Sequence, residues 1–85
     1  MKLKKETVEK ILANEGMRYL YLVSLISSDA LITKDDCIKS LEVLDFISAN
    51  LSEMDSLTDE IRKEVIKFVS EGKEIVSRDL NKMQL

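Results

Sequence analysis

The chain has 85 residues and a formal net charge of −3 at pH 7, and 45% of its residues are hydrophobic. This length allows a single domain, residues 1–85, and the hydrophobic content excludes an intrinsically disordered chain. Proline is absent and there are only two glycines, so the turn residues that a strand-rich fold requires are missing. The composition therefore predicts an all-α protein with few connections.

The amino-terminal segment 1–5 carries the positive charge of a signal-peptide n-region. Glu6, Glu9 and Lys10 occupy the positions where the apolar segment of a signal peptide would have to follow, so we do not expect one. The longest apolar-rich run, 19–26, is far shorter than the ~20 residues of a membrane span. The one cysteine, Cys37, cannot form an intramolecular disulfide. These features predict a cytoplasmic protein without a membrane span.

The first predicted helix covers about residues 3–28. Val8, Ile11 and Leu12 recur at helical spacing, whereas residues 17–26 are apolar on almost every side and should be surrounded by other helices. Gly16 costs a helix interior roughly 1 kcal/mol relative to alanine, so a bend or break near 14–16 is an alternative. A buried strand is the competing interpretation of 19–26. Helix is preferred because no second segment could pair with that strand.

The second predicted helix covers about residues 34–51, with Thr33 as its N-cap. The third covers about 57–81, with Ser56 or Thr58 as the cap. Gly72 interrupts the apolar stripe of the third helix, where it either permits close approach of a facing helix or weakens its own. Because the connections are short, we expect an antiparallel, up-down-up three-helix bundle. A core this small is marginal, and we expect dimerisation to complete it.

The sequence excludes most catalytic chemistry. It contains no histidine, which removes the usual general base, the commonest metal ligand and every Ser–His or Cys–His nucleophile. Two isolated glycines cannot form a phosphate-binding loop. The adjacent acids 35–36 and 59–60 each open a helix, where they stabilise the positive end of the dipole. Cys37 lies on an apolar arc and is interpreted as a buried small residue. We therefore expect no enzymatic activity, no catalytic residue, no cofactor and no metal.

Charge is distributed unevenly along the chain. Residues 1–10 carry four lysines against two acids, residues 31–60 carry two lysines against eight acids, and residues 61–85 carry six bases against four acids. Asp35, Glu42 and Asp45 share the exposed face of the second helix. This acidic block is either a solvated face that attracts the basic ends, or a surface that meets a basic patch on a protein partner.

Apolar residues of the first two helices exceed what one face of a small bundle can bury. They are either core and dimer-interface residues or an exposed groove that receives a partner helix. The candidates are Tyr19, Tyr21, Leu22, Ile26, Val43 and Phe46.

Three functions follow from these surfaces. A regulator or inhibitor that binds another protein is the first, and a structural homodimer or assembly subunit is the second. The third is a helix-turn-helix DNA-binding regulator, since 25–36 has the spacing of such a joint, but Asp35, Glu42 and Asp45 would repel phosphates. The size, acidity and helical content are similar to those of phage-encoded inhibitors, antitoxins and bacteriocin immunity proteins, although no motif carries that similarity.

Overall fold

A computed structural model describes residues 3–26 and 33–83, with only the backbone of Met83. These residues contain helices and no strands, so the predicted all-α class is confirmed. None of the described helices is both long and apolar enough to cross a membrane. The predicted end of the first helix at 28 and the connection over 28–32 lie outside the described residues. The elements in chain order are α1 (Lys5–Ala13), α2 (Glu15–Ile26), α3 (Lys34–Asn50), a 3-10 turn (Leu51–Glu53) and α4 (Asp59–Met83).

The segment predicted as one helix over 3–28 is broken, and the break is at Asn14 rather than at Gly16. Asn14 has extended backbone angles, φ −97° and ψ 119°. Its side-chain Oδ1 accepts a hydrogen bond from the Met17 amide at 3.0 Å, which is how an asparagine caps a new helix. Gly16 lies inside the first turn of α2. The single first helix of the sequence analysis is therefore wrong, and its broken alternative is correct.

Pairs of contacting residues give the directions of the longer helices. Asp45 of α3 pairs with Lys73, and Leu51, directly after α3, shares a cavity with Ile66, so α3 and α4 run antiparallel. Along α2, Arg18 lies near Glu64, and an added Cβ at Gly72 would contact Ile26. Residue numbers increase together in these two pairs, so α2 and α4 run in the same direction.

The core includes residues from every helix, from the 3-10 turn and from the connection before α4. Met54 is fully buried and Leu57 is 4% exposed; the sequence assigns Met54 to a largely polar connection and Leu57 to the start of the third helix, but α4 begins at Asp59 and both residues precede it. Glu9 of α1 accepts hydrogen bonds from the amide and hydroxyl of Ser56, which fixes α1 over this connection. The buried apolar residues are Val8, Leu12, Leu22, Cys37, Leu44, Ile47, Leu51, Met54, Leu57, Val65, Val69 and Val76.

Gly72 lies where α2 and α3 approach α4 most closely. A Cβ at this position would be 2.6 Å from Cγ2 of Ile26 and 3.4 Å from Cδ1 of Leu44. Its backbone φ is not positive, so space rather than conformation requires glycine here. Of the two interpretations of Gly72, the structure supports close approach.

Candidate protein-binding surface

The outer side of α3 carries the three acidic residues predicted to bind a partner. Thr33 caps this helix as predicted, its Oγ1 accepting from the Asp36 amide at 3.1 Å. The side of α3 that faces the core is formed by Cys37, Ser40, Leu44 and Ile47. Asp35, Glu42 and Asp45 are all exposed, because their positions place them on the other side of the helix.

The three acids differ in their surroundings. Asp45 Oδ1 lies 2.7 Å from Nζ of Lys73, with 69% of the Asp45 side chain exposed. Asp35 and Glu42 form no ion pair with any residue in 3–26 or 33–83. Part of the charge of Asp45 is therefore already neutralised by α4, and Asp35 and Glu42 carry the unpaired negative charge of this surface.

A shallow cavity of about 370 Å³ lies beside Glu42. Leu3, Lys39, Glu42 and Val43 line it, and Val43 is partly buried against the core on its inner side. Two apolar side chains, one cation and one anion thus surround the same opening. We call Asp35, Glu42 and the residues of this cavity the α3 surface.

The predicted apolar site residues are not gathered into one groove. Leu22 is 3% exposed and belongs to the core. Ile26, Val43, Phe46 and Tyr21 are partly buried and pack against that core, and partial burial raises the pKa of the Tyr21 hydroxyl above its ordinary value of 10.0.

Tyr19 is the exception among these apolar residues, since it is 67% exposed. Two successive steps along a helix rotate a side chain by about 200°, so Tyr19 and Tyr21 point to different sides of α2. Only Tyr19 of the pair is free of the core.

Three residues of α2 that sequence reasoning did not assign to a site have unusual environments. Met17 is 51% exposed and Leu20 is 70% exposed, which makes them part of the outer surface. Arg18 is 8% exposed, and its Nη1 donates to the Leu12 carbonyl at 2.8 Å. The sequence signal for this arrangement is that Arg18 is the single charge in 16–26.

A second cavity of about 220 Å³ lies between α3 and α4. Its lining mixes hydroxyls, one cation and apolar side chains, namely Ser48, Leu51, Ile66, Val69, Ser70 and Lys73. Across residues 3–26 and 33–83, no three His, Cys, Asp or Glu side chains are grouped so that they could hold a metal ion.

Comparisons with protein-family models, with curated proteins and with solved structures found no match to this chain. The function proposed below therefore rests on the chain's own residues.

Proposed function

We propose that this chain is a non-enzymatic, cytoplasmic regulator or inhibitor that acts by binding another protein through the α3 surface. The observation that carries the proposal is the position of Glu42, an exposed carboxylate with no ion pair among the described residues, at the edge of a cavity that Leu3 and Val43 also line. Asp35 is seven residues earlier, two helical turns away on the same side. The surface therefore offers an apolar opening flanked by negative charge.

Such a surface fits a partner with a basic patch next to an apolar side chain. The charges would guide the encounter and select partners of opposite charge, and the apolar side chain would fill the cavity beside Val43. Lys39 on the cavity rim adds selectivity, because a partner must place its cation toward Glu42 and away from Lys39.

DNA binding is the weaker use of the same helix. A helix that reads DNA presents arginine, lysine, asparagine or glutamine to phosphates and base edges. The exposed side of α3 presents Asp35, Glu42 and Asp45, which phosphates repel. Residues 27–32, which are half of the proposed helix-turn-helix joint, lie outside the described residues.

The test uses a pair of variants with the same change in net charge. Glu42→Lys reverses the charge of the α3 surface, and Glu71→Lys reverses an exposed acid of α4. Wild type and both variants are immobilised and used to capture protein from native lysate with and without nuclease treatment. The captured protein is then purified, and its association rate with each variant is measured at several salt concentrations.

We expect Glu71→Lys to bind like wild type, and Glu42→Lys to associate about tenfold more slowly at low salt because electrostatic guidance is lost. The difference should shrink as salt screens the charges. Equal association rates for both variants at every salt concentration would refute a role for the α3 surface. Capture that disappears with nuclease would favour nucleic acid as the partner.

A further inference from the structure

The outer side of α2 exposes apolar side chains over 17–24, and the exposed charge of this helix is Glu15 at its first position. Met17, Tyr19 and Leu20 are between 51% and 70% exposed. The one charged residue of 16–26, Arg18, is turned inward, with Nη1 on the Leu12 carbonyl and Nη2 3.6 Å from Glu64. We call the side chains of Met17, Tyr19, Leu20, Val23 and Ser24 the α2 ridge.

Of the two hydroxyls of the α2 ridge, that of Ser24 is already satisfied within the helix. The Ser24 hydroxyl donates to the Tyr21 carbonyl at 2.7 Å. Removing water from this hydroxyl therefore costs little, since its hydrogen bond is kept. Covering the ridge gains apolar burial without burying a charge, and the Tyr19 hydroxyl, at the tip of its ring, can keep its contact with water at the edge of the interface.

We propose that the α2 ridge is the interface of a homodimer, in which α2 packs antiparallel against α2 of a second copy. A two-fold interface brings each residue against a copy of the same patch, so a charged patch meets its own charge across the axis. In the α3 surface Asp35 and Glu42 outnumber the one cation, Lys39, so two copies of it carry a net repulsion. The uncharged α2 ridge has no such penalty.

The position of Leu20 defines the axis. α2 covers Glu15–Ile26, and Leu20 lies at its middle with 70% of its surface exposed. An antiparallel pair centred there places Leu20 against Leu20 of the partner subunit. Met17, one turn before Leu20, then faces the part of the other copy's α2 ridge that lies one turn after the centre.

The available area indicates a reversible dimer. A whole side chain of this size has a surface of roughly 150–250 Å². The exposed parts of the three most exposed ridge residues therefore add up to about 400 Å² per copy. A standard interface buries about 800 Å² per partner. The exposed ridge residues offer about half of that area, the size of a weak, transient contact, so we expect a dissociation constant of roughly 1–100 µM.

The first experiment is sedimentation velocity over protein concentrations from about 5 to about 500 µM, which brackets the expected constant. Leu20→Glu is compared with Ile66→Glu, because Ile66 of α4 is also an exposed apolar residue, at 58%. At the highest protein concentrations, wild type and Ile66→Glu should sediment as dimers. Leu20→Glu should sediment as a monomer at the same concentrations. Circular dichroism and urea unfolding show whether each variant is folded.

The second experiment uses the self-contact of Leu20. Leu20→Glu and Leu20→Lys should each be monomeric alone, because like charges meet at the axis. An equimolar mixture should form a heterodimer, because the opposite charges then meet. A mixture that stays monomeric would overturn the antiparallel arrangement, provided that both variants are folded.

A wild-type protein that remains monomeric at about 500 µM would overturn the dimer. So would a dimer that Ile66→Glu dissociates and Leu20→Glu leaves intact. Neither experiment requires a partner protein, so its outcome is independent of the role of the α3 surface.

Discussion

The Cγ2 atom of Ile26 occupies the space where a side chain at Gly72 would begin, 2.6 Å from the position of an added Cβ. Ile26 ends α2 and Gly72 lies within α4, so this contact sets how closely the two helices approach. Cγ2 is bonded to Cβ and cannot move away without a change of rotamer or backbone.

Gly72→Ala should therefore destabilise the protein despite the better helix propensity of alanine. Overpacking costs typically 1–3 kcal/mol, and the propensity gain offsets about 1 kcal/mol of it. We expect a net loss of about 1 kcal/mol in the free energy of unfolding, measured by urea denaturation at one fixed protein concentration. Ile26→Ala should cost less in the Gly72→Ala chain than in wild type, since there it also removes the clashing methyl group.

Gly16→Ala is the matched control. The nearest atom to an added Cβ there is Asn14 Oδ1 at 3.6 Å, an ordinary contact. We expect this variant to be unchanged or more stable by about 0.5 kcal/mol. Equal losses in the free energy of unfolding for the two variants would mean that close packing does not explain why position 72 requires glycine.

Arg18 should stabilise the break between α1 and α2 through its hydrogen bond to Leu12 rather than through its ion pair. Nη1 is 2.8 Å from the Leu12 carbonyl in a buried environment, whereas Glu64 is 66% exposed. Arg18→Met keeps an apolar stem but leaves that carbonyl unsatisfied, so the free energy of unfolding should fall by about 1–3 kcal/mol. Glu64→Gln removes the ion pair alone and should cost less than about 0.5 kcal/mol. Similar losses in both variants would mean that the ion pair is the main contribution.

The contact between Glu9 and Ser56 should make stability depend on pH. The Ser56 hydroxyl and then the Ser56 amide hold the pKa of Glu9 below its ordinary value of 4.5, with smaller contributions from Lys5 and Arg62. A lowered folded-state pKa adds stability that is fully present above pH 4.5 and is lost as pH falls through the folded-state value. Glu9→Gln should thus be less stable than wild type at pH 7, with the difference shrinking below about pH 4.5.

Urea unfolding at a series of pH values checks this dependence. Glu6→Gln is the control on the same helix, because Glu6 is exposed and forms no ion pair or side-chain hydrogen bond within 3–26 or 33–83. The difference in free energy of unfolding between Glu6→Gln and wild type should not shrink in acid as the difference for Glu9→Gln does. A Glu9→Gln difference that stays constant from pH 7 into acid would contradict the prediction.

Cys37 should react with thiol reagents only when the protein opens. It is fully buried, and burial raises the pKa of its thiol, with further increases from the charges of Asp79 and Asp36. The reactive thiolate is therefore both scarce and inaccessible. We expect labelling at pH 8 to be at least about 100-fold slower in the native protein than in urea.

A second thiol at an exposed position of the same chain provides the comparison. Ser77 of α4 is exposed, so Ser77→Cys should add one equivalent that reacts at once without unfolding. If Cys37 reacts as fast as that added thiol, it is accessible in the native state.

The sequence by itself determined the features that depend on neighbouring residues. Absent proline and scarce glycine predicted an all-α chain, and Thr33 was identified as the cap of α3. Thr58, one of two predicted caps for α4, accepts from the Ile61 amide at 3.2 Å. These features were predictable because a helix and its cap form hydrogen bonds within three or four residues.

Only the tertiary structure decided which side chains are buried and which remain on the surface. Met54 lies in a segment that the sequence predicts to be a polar connection, yet it belongs to the core. Tyr19 and Tyr21 look equivalent in the sequence, but Tyr21 packs against the core and Tyr19 is 67% exposed. Arg18 is the charged residue in an apolar run. A charged side chain is expected to lie in solvent, but Arg18 is buried. Burial depends on contacts between residues far apart in the chain, and no local periodicity records which helix will cover which side of another.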